Sequence, residues 1–211
     1  ADIVMYLSAA TIIIAAIVAM RQDDLKLRLA YSTISQLAYI VLGSVLGGLG
    51  SLAAGLHMAT HGYGKITLFF CAGAIMVASH KTKVSEMRGL ARSMPFTMTA
   101  FIIGSLSIIG LPPFGGFWSK LKLIEAAAEG QHIVMIGVLI LGSLLSAGYL
   151  LPVVLQAFAR NPDNISSQPS RQEAPTYCLI AIWVTALGCF LLFIWPEPVL
   201  KLISYTLPLK G

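Results

Sequence analysis

Charge is what this chain has least of. Asp, Glu, Lys and Arg together make up 11% of the 211 residues, against 57% for hydrophobic side chains. A soluble domain of similar length carries roughly twice that charge, so an ordinary water-soluble fold is excluded. Cysteine is scarce as well. Cys71, Cys178 and Cys189 lie in apolar runs without C-x-x-C spacing, which reads as small buried hydrophobes rather than zinc or iron–sulfur ligands. No metal and no cofactor is expected, and nothing in the residues suggests a nicotinamide site. An initiator methionine and the basic start of a signal peptide are also missing. The chain opens at Ala1 inside an apolar run and reads as a piece of something longer. Its net charge of +5 is no nucleic-acid signal, because it follows from where the basic residues fall among the loops.

What is present is a series of near-continuous apolar runs, helical in kind rather than alternating every second residue. They predict an all-α transmembrane fold, a single membrane domain over residues 1–211, with about six spans near 3–20, 27–47, 51–79, 96–130, 132–158 and 176–202. The fourth contains Gly110-Leu-Pro-Pro-Phe-Gly-Gly116. Pro112 and Pro113, with Gly110, Gly115 and Gly116, cannot continue a regular helix. The run is also too long for one straight span and too short for two. One discontinuous helix, broken inside the membrane over 110–116, satisfies both constraints.

Smaller signals follow the same frame. Asp23 or Asp24 is placed to cap the second helix. Gly43 and Gly47 form a small-xxx-small pair suited to close packing, and the glycines of 47–50 make a turn. Gly62 and Gly64 are expected to loosen the middle of the third helix. The loops after spans one, three and five hold nine of the 14 lysines and arginines. The positive-inside rule puts those loops in the cytoplasm and both ends of the piece on the other side. His80 and the basic loop to Arg92 then read as solvated orientation determinants, and Glu125 and Glu129 as an exposed face.

One stretch violates the apolar pattern without breaking it. His57, His61 and Lys65 stand at i, i+4 and i+8, on one face of a helix and one turn apart, with apolar sequence on both sides. An ionisable group at that depth costs roughly 2.5–3.5 kcal/mol and is a functional-site candidate by default. Histidines titrate near neutral pH, so a ladder of this kind can hand on protons through intervening water. A lysine that loses and regains its proton is a relay stage. Lys120, on the second half of the broken helix, is another candidate, with snorkelling to the interface as its plain alternative. Lys26 is either an approach to the ladder or an ordinary surface partner of Asp23 and Asp24. Tyr31, Ser35 and Gln36 line a water path or simply bond neighbouring helices.

Taken together, three motifs resemble a known superfamily. They are Asp24-Leu-Lys-Leu-Arg-Leu-Ala-Tyr-Ser-Thr-Ile-Ser-Gln36, then His57-x3-His61-x3-Lys65, then Gly110-Leu-Pro-Pro-Phe-Gly-Gly-Phe-Trp-Ser-Lys120. In order and spacing they are similar to those of the antiporter-like membrane subunits. These comprise the proton-translocating L-, M- and N-type subunits of respiratory complex I, the large subunits of Mrp-type sodium/proton antiporters, and their hydrogenase counterparts. Phe69-Phe-Cys-Ala-Gly-Ala-Ile75 and Ser85-Glu-Met-Arg-Gly-Leu90 look most like the Mrp D-type subunit.

The resemblance implies the C-terminal part of a fourteen-helix inverted-repeat fold, lacking the N-terminal repeat and its entry half-channel. It implies that Lys65 and Lys120 are proton-relay lysines, with His57 and His61 between them and Lys26 linking the half-channels. The M-type subunit typically has glutamate where Lys120 stands, which leaves the L-, N- and D-types. The implied function is proton translocation in a multisubunit cation/proton antiporter of a bacterial cytoplasmic membrane, alongside other membrane subunits, with protons as cargo and sodium, potassium or no second ion left open. The alternatives are a complex I or hydrogenase pump subunit, which would be part of a translocase but hold no redox centre itself, and a non-conducting scaffold.

Overall fold

The computed structural model describes residues 2–159 and 172–206. The expected loop over 160–173 and the tail containing Lys210 lie almost wholly outside the described residues. Five helices are long and apolar enough to cross a membrane: α1 (Asp2–Arg21), α2 (Leu25–Leu46), α3 (Gly48–Ser79), α7 (Ile133–Phe158) and α8 (Thr176–Ile194). Between α3 and α7 lie a single 3-10 turn (Val84–Glu86), the short α4 (Leu90–Ser93), α5 (Pro95–Ile109) and α6 (Gly116–Glu129). A final helix, α9 (Glu197–Thr206), follows α8. The described residues form no strand beyond an isolated bridge between Asp24 and Lys83.

Two of the helix boundaries have a readable local cause. Asp24, not Asp23, caps α2, its Oδ1 accepting from the Leu27 N–H at 2.8 Å. The turn into α3 is tighter than expected, with Gly47 at φ 67° and Gly48 at φ 38° reversing the chain, conformations that favour glycine. Gly47 therefore shapes the turn and is not a packing residue. The close approach is made instead by Gly43 against Gly50 and Leu123, where an added Cβ would lie 2.8 Å from the Gly50 carbonyl. The expected loosening at Gly62 and Gly64 does not occur, since α3 runs unbroken for 32 residues. Gly64 serves as a contact, packed on Ile108 of α5 and close to the Gly104 carbonyl.

The fourth run does break, over 110–115. At 15 and 14 residues, neither α5 nor α6 spans a hydrocarbon core of about 30 Å at 1.5 Å per residue. The sixth span is shorter than expected. Trp195-Pro196 ends α8 at Ile194, because proline disfavours helix in the residue before it and lacks an N–H. The residues to 202 turn off into α9 instead, whose Ile203 packs on Gly55 of α3.

The loops after spans one and three meet at one end of the bundle, where Gln172 and Glu173, the described end of the next basic loop, also bond. Leu25 N donates to the Thr82 carbonyl at 2.9 Å and Val84 N to the Asp23 carbonyl at 2.8 Å. Glu173 caps α5, accepting from the Phe96 N–H at 2.7 Å and the Thr97 hydroxyl at 2.7 Å. The basic loop is more than solvated charge: Val84, Met87, Leu90 and Ala91 plug the end of the core, while His80, Lys83, Arg88 and Arg92 remain exposed. Asp23 clasps this plug, accepting from Ser85 Oγ at 2.7 Å and Ser85 N at 3.0 Å.

Those two bonds, the hydroxyl's first, hold the Asp23 carboxyl below its ordinary value of 3.8. A depressed carboxylate pKa stabilises the fold above the unfolded value, so the clasp is complete above roughly pH 4 and is lost as pH falls below it. Hydrogen exchange at residues 82–86 should therefore quicken below that pH in the parent protein. In Asp23→Ala it should be fast throughout; an acid-dependent step persisting in that variant contradicts the clasp.

Candidate functional site

The ladder is where the sequence puts it, and it is buried. His57, His61 and Lys65 on α3 and Lys120 on α6 are each at most 7% exposed. Lys120 does not snorkel. The His57 and His61 rings stack with centroids 6.0 Å apart and planes at 17°, and Tyr39 of α2 stacks on His57 at 5.4 Å.

Burying an ammonium requires acceptors. Lys65 Nζ donates to the Leu29 carbonyl at 3.0 Å and to Ser32 Oγ at 2.6 Å, both on α2. Lys120 Nζ donates to the Ile109 carbonyl at 3.1 Å and lies 5.0 Å from the centre of the Tyr39 ring. Ile109 is the last residue of α5, so the break creates the acceptor. A helix end leaves carbonyls without intrahelical partners and carries negative partial charge, which suits a cation. Gly110 makes the approach feasible: at φ 91° it ends α5, and a Cβ there would lie 2.8 Å from the Lys120 stem. Gly116 has no room for a side chain either, being pressed against the Ser107 carbonyl.

The other groups freed at the break find protein partners rather than lining an open channel. Gly110 and Leu111 N–H both donate to the Leu106 carbonyl, and Gly115 N–H donates to the Cys189 carbonyl at 2.9 Å. Trp118 Nε1 donates to the Phe193 carbonyl at 3.0 Å. Pro112 and Pro113 face outward. A crevice of about 350 Å³ does open beside the break, between it and α7, with Lys120 and Ser143 in its wall.

Ser119 links the two halves of the site. Its hydroxyl lies 2.9 Å from His57 Nδ1, accepts from Thr60 Oγ1 at 3.1 Å and donates to the Gly116 carbonyl at 3.0 Å. With the serine proton on that carbonyl, Nδ1 carries the imidazole hydrogen and Nε2 is a bare acceptor. Neither His57 Nε2 nor His61 Nε2 has a partner among the described residues. Buried polar atoms are rarely left so, and a bridging water suits both. His61 lies within electrostatic reach of both Lys65 and Lys120. The arrangement thus sets two imidazoles, whose Nε2 atoms have no partner among the described residues, with two buried lysines.

The remaining candidates divide. Ser35 bonds the Ile12 carbonyl of α1 at 2.8 Å, and Gln36 Nε2 bonds Ser146 of α7 at 3.0 Å, so both join neighbouring helices. Tyr31 packs against the core. Lys26 is exposed and not brought to the ladder; its Nζ lies 3.4 Å from Met76 Sδ, and the single ion pair among the described residues, Lys122–Glu125, does not involve it. Three contributors escaped the sequence reading as site residues: Ser32, Ser119 and Tyr39. Ser32 and Tyr39 share a polar stripe of α2 with Tyr31, Ser35 and Gln36, and nothing in their spacing singles them out. Ser119 stands directly before Lys120 and carries no signal of its own.

Residues 1–146 match the family described as NADH:quinone oxidoreductase/Mrp antiporter, transmembrane. The NADH-quinone oxidoreductase subunit N of Desulforudis audaxviator is 36% identical over 96% of this chain and 43% of its own length. Subunit L of the Mycobacterium tuberculosis enzyme is 40% identical over 74% of this chain and 25% of its length. Among solved structures, the Mrp complex from a Dietzia species contains a chain that matches 95% of this one at TM-score 0.88 and 23% identity, a likeness of fold, with 45% of that chain covered. The archaeal membrane-bound sulfane sulfur reductase matches at TM-score 0.83 and 28% identity, over 95% of this chain and 33% of that one. The chain spans less than half the length of these relatives. Its helices and apolar spans are those of a multi-pass membrane protein.

Replacing Ser119 by alanine leaves His57 Nδ1 buried without its hydrogen-bond partner, at a cost of about 1–3 kcal/mol. Thermal unfolding of the detergent-solubilised protein should register that loss; an unchanged midpoint contradicts the His57–Ser119 bond.

Proposed function

Because the chain belongs to the NADH:quinone oxidoreductase/Mrp antiporter transmembrane family, we propose that it is a proton-translocating, antiporter-like subunit of a multisubunit cation/proton antiporter of the Mrp type. The observation that carries the reading is the buried line Lys65–His61–His57–Lys120, in which neither lysine has a carboxylate partner among the described residues. A buried lysine locked to a carboxylate is held permanently charged. One held by carbonyls and a hydroxyl keeps a proton it can surrender. Protons pass between the two lysines through the imidazoles and bridging water, and the backbone carbonyls fix each Nζ at its end of the line.

The partners are other membrane subunits of the assembly and the surrounding lipid, with protons as cargo and sodium as the counter-ion to test first. The membrane is a bacterial cytoplasmic one, with the basic end of the bundle on the cytoplasmic side. A second reading, the same relay inside a quinone-reducing pump, is favoured by the 36–40% identity to subunits N and L. In that case the redox centres belong to other subunits.

The test replaces Lys65 and Lys120 separately by alanine in the complete protein, within its assembly, in proteoliposomes. Each should lower ion-coupled proton flux at least about tenfold, with assembly on a native gel unchanged. Undiminished flux in an intact assembly contradicts the relay and leaves a scaffold role. A sodium gradient that moves protons without any electron donor favours the antiporter; flux that appears only with quinone turnover favours the pump.

A further inference from the structure

The relay leaves unused a second polar line between the same two lysines. It lies along the seam of α2 and α7. From Lys65 Nζ the bonds run to Ser32 Oγ at 2.6 Å, then from the Ser32 hydroxyl to Tyr149 Oη at 2.8 Å, and from the Tyr149 hydroxyl to Ser146 Oγ at 3.2 Å. Gln36 Nε2 joins at Ser146, 3.0 Å away. Ser32, Gln36, Ser146 and Tyr149 are each fully buried. At the other end, Tyr39 lies beneath Lys120, and its hydroxyl also interacts with Ser143. Ser143 in turn lines the crevice that Lys120 lines. Gly142 gives the Tyr39 hydroxyl its place, since a Cβ there would overlap it.

One gap separates the two ends. Gln36 to Tyr39 on α2 and Ser143 to Ser146 on α7 are each one helical turn, about 5–6 Å between Cβ atoms, which a single water bridges. The seam already holds the acceptor for that water: Gln36 Oε1 is buried and has no partner among the described residues. An unpaired buried acceptor is costly, and this one lies where the line is interrupted.

We propose that the α2–α7 seam is a second proton path from Lys65 to Lys120, built on Ser32, Tyr149 and Ser146, that bypasses the histidines. The step balances as a concerted hop. The Lys65 ammonium gives a proton to Ser32 as the Ser32 proton moves to Tyr149, that of Tyr149 to Ser146, that of Ser146 to the water, that of the water to Ser143, and that of Ser143, across the crevice it shares with Lys120, to neutral Lys120. In the structure the Ser146 hydroxyl donates to the Gly142 carbonyl at 2.9 Å, which cannot take up a proton. This path therefore conducts only when that hydroxyl turns toward Gln36. It is gated by one serine rotor, whereas the histidine path has none.

The proposal rests on the relay reading, and its test keeps the two apart. Proton flux is measured for the complete protein in its assembly, in proteoliposomes, for His57→Leu/His61→Leu, for Tyr149→Phe, for the three changes together, and for Lys65→Ala. The double histidine variant should retain flux above the Lys65→Ala level. Adding Tyr149→Phe to it should lower flux at least about tenfold further, a larger factor than the same change produces in the parent. A merely structural tyrosine lowers flux by one factor in both backgrounds, and that result overturns the proposal. So does a double histidine variant that assembles but conducts no better than Lys65→Ala. Unaltered flux in Lys65→Ala overturns the relay, and this path with it. Where Tyr149→Phe does not assemble, Ser32→Ala cuts the same line with the same expected outcomes.

Discussion

The arrangement depends on how two lysine amino groups are held inside an apolar bundle. Each charge costs several kcal/mol to bury unless it is matched. The match here is made by main-chain carbonyls, Leu29 for Lys65 and Ile109 for Lys120, and by no carboxylate among the described residues. Dipoles stabilise the charged form without committing the lysine to it. The choice also ties chemistry to fold. Ile109 offers its carbonyl only because α5 stops there, and α5 stops there because Gly110 turns left-handed ahead of two prolines. The helix break is thus the anchor of Lys120 as much as an interruption of the span.

The same economy runs through the packing. Glycine repeatedly lets one backbone reach another: Gly43 with Gly50, Gly64 with α5, Gly116 with Ser107. Such contacts suit helices in lipid, where small residues and interhelical hydrogen bonds take over from the hydrophobic effect. The polar stripe of α2 is the counterpart. Arg28, Ser32, Gln36 and Tyr39 each bond α7, at the Tyr149 carbonyl, the Tyr149 hydroxyl, Ser146 and the Leu139 carbonyl respectively. That seam fixes α2, and α2 in turn presents Leu29 and Ser32 to Lys65.

Periodicity and composition carried the class of fold, the break and the ladder, because each leaves a mark at fixed spacing: apolar runs of spanning length, Pro-Pro between glycines, and ionisable groups every fourth residue. What stayed illegible depends on which atoms meet across helices. Nothing in the local sequence tells Asp23 from Asp24, yet one caps α2 and the other clasps Ser85, 62 residues away. The buried cation near the start of α2 is Arg28, bound to the Tyr149 carbonyl, while Lys26, two residues before it, faces outward. That difference is a matter of helix phase against α7. The end of the last span moved for a local reason, Pro196, which a hydropathy window averages away.

The central claim is that Lys65 and Lys120 are ends of one hydrated line rather than two isolated buried cations. Ordered water in a high-resolution experimental structure of the whole assembly tests it most directly. The account predicts waters bonded to His57 Nε2 and His61 Nε2 that complete an unbroken chain of hydrogen bonds from Lys65 to Lys120. Dry apolar packing between the imidazoles, with those nitrogens sealed from water, contradicts it.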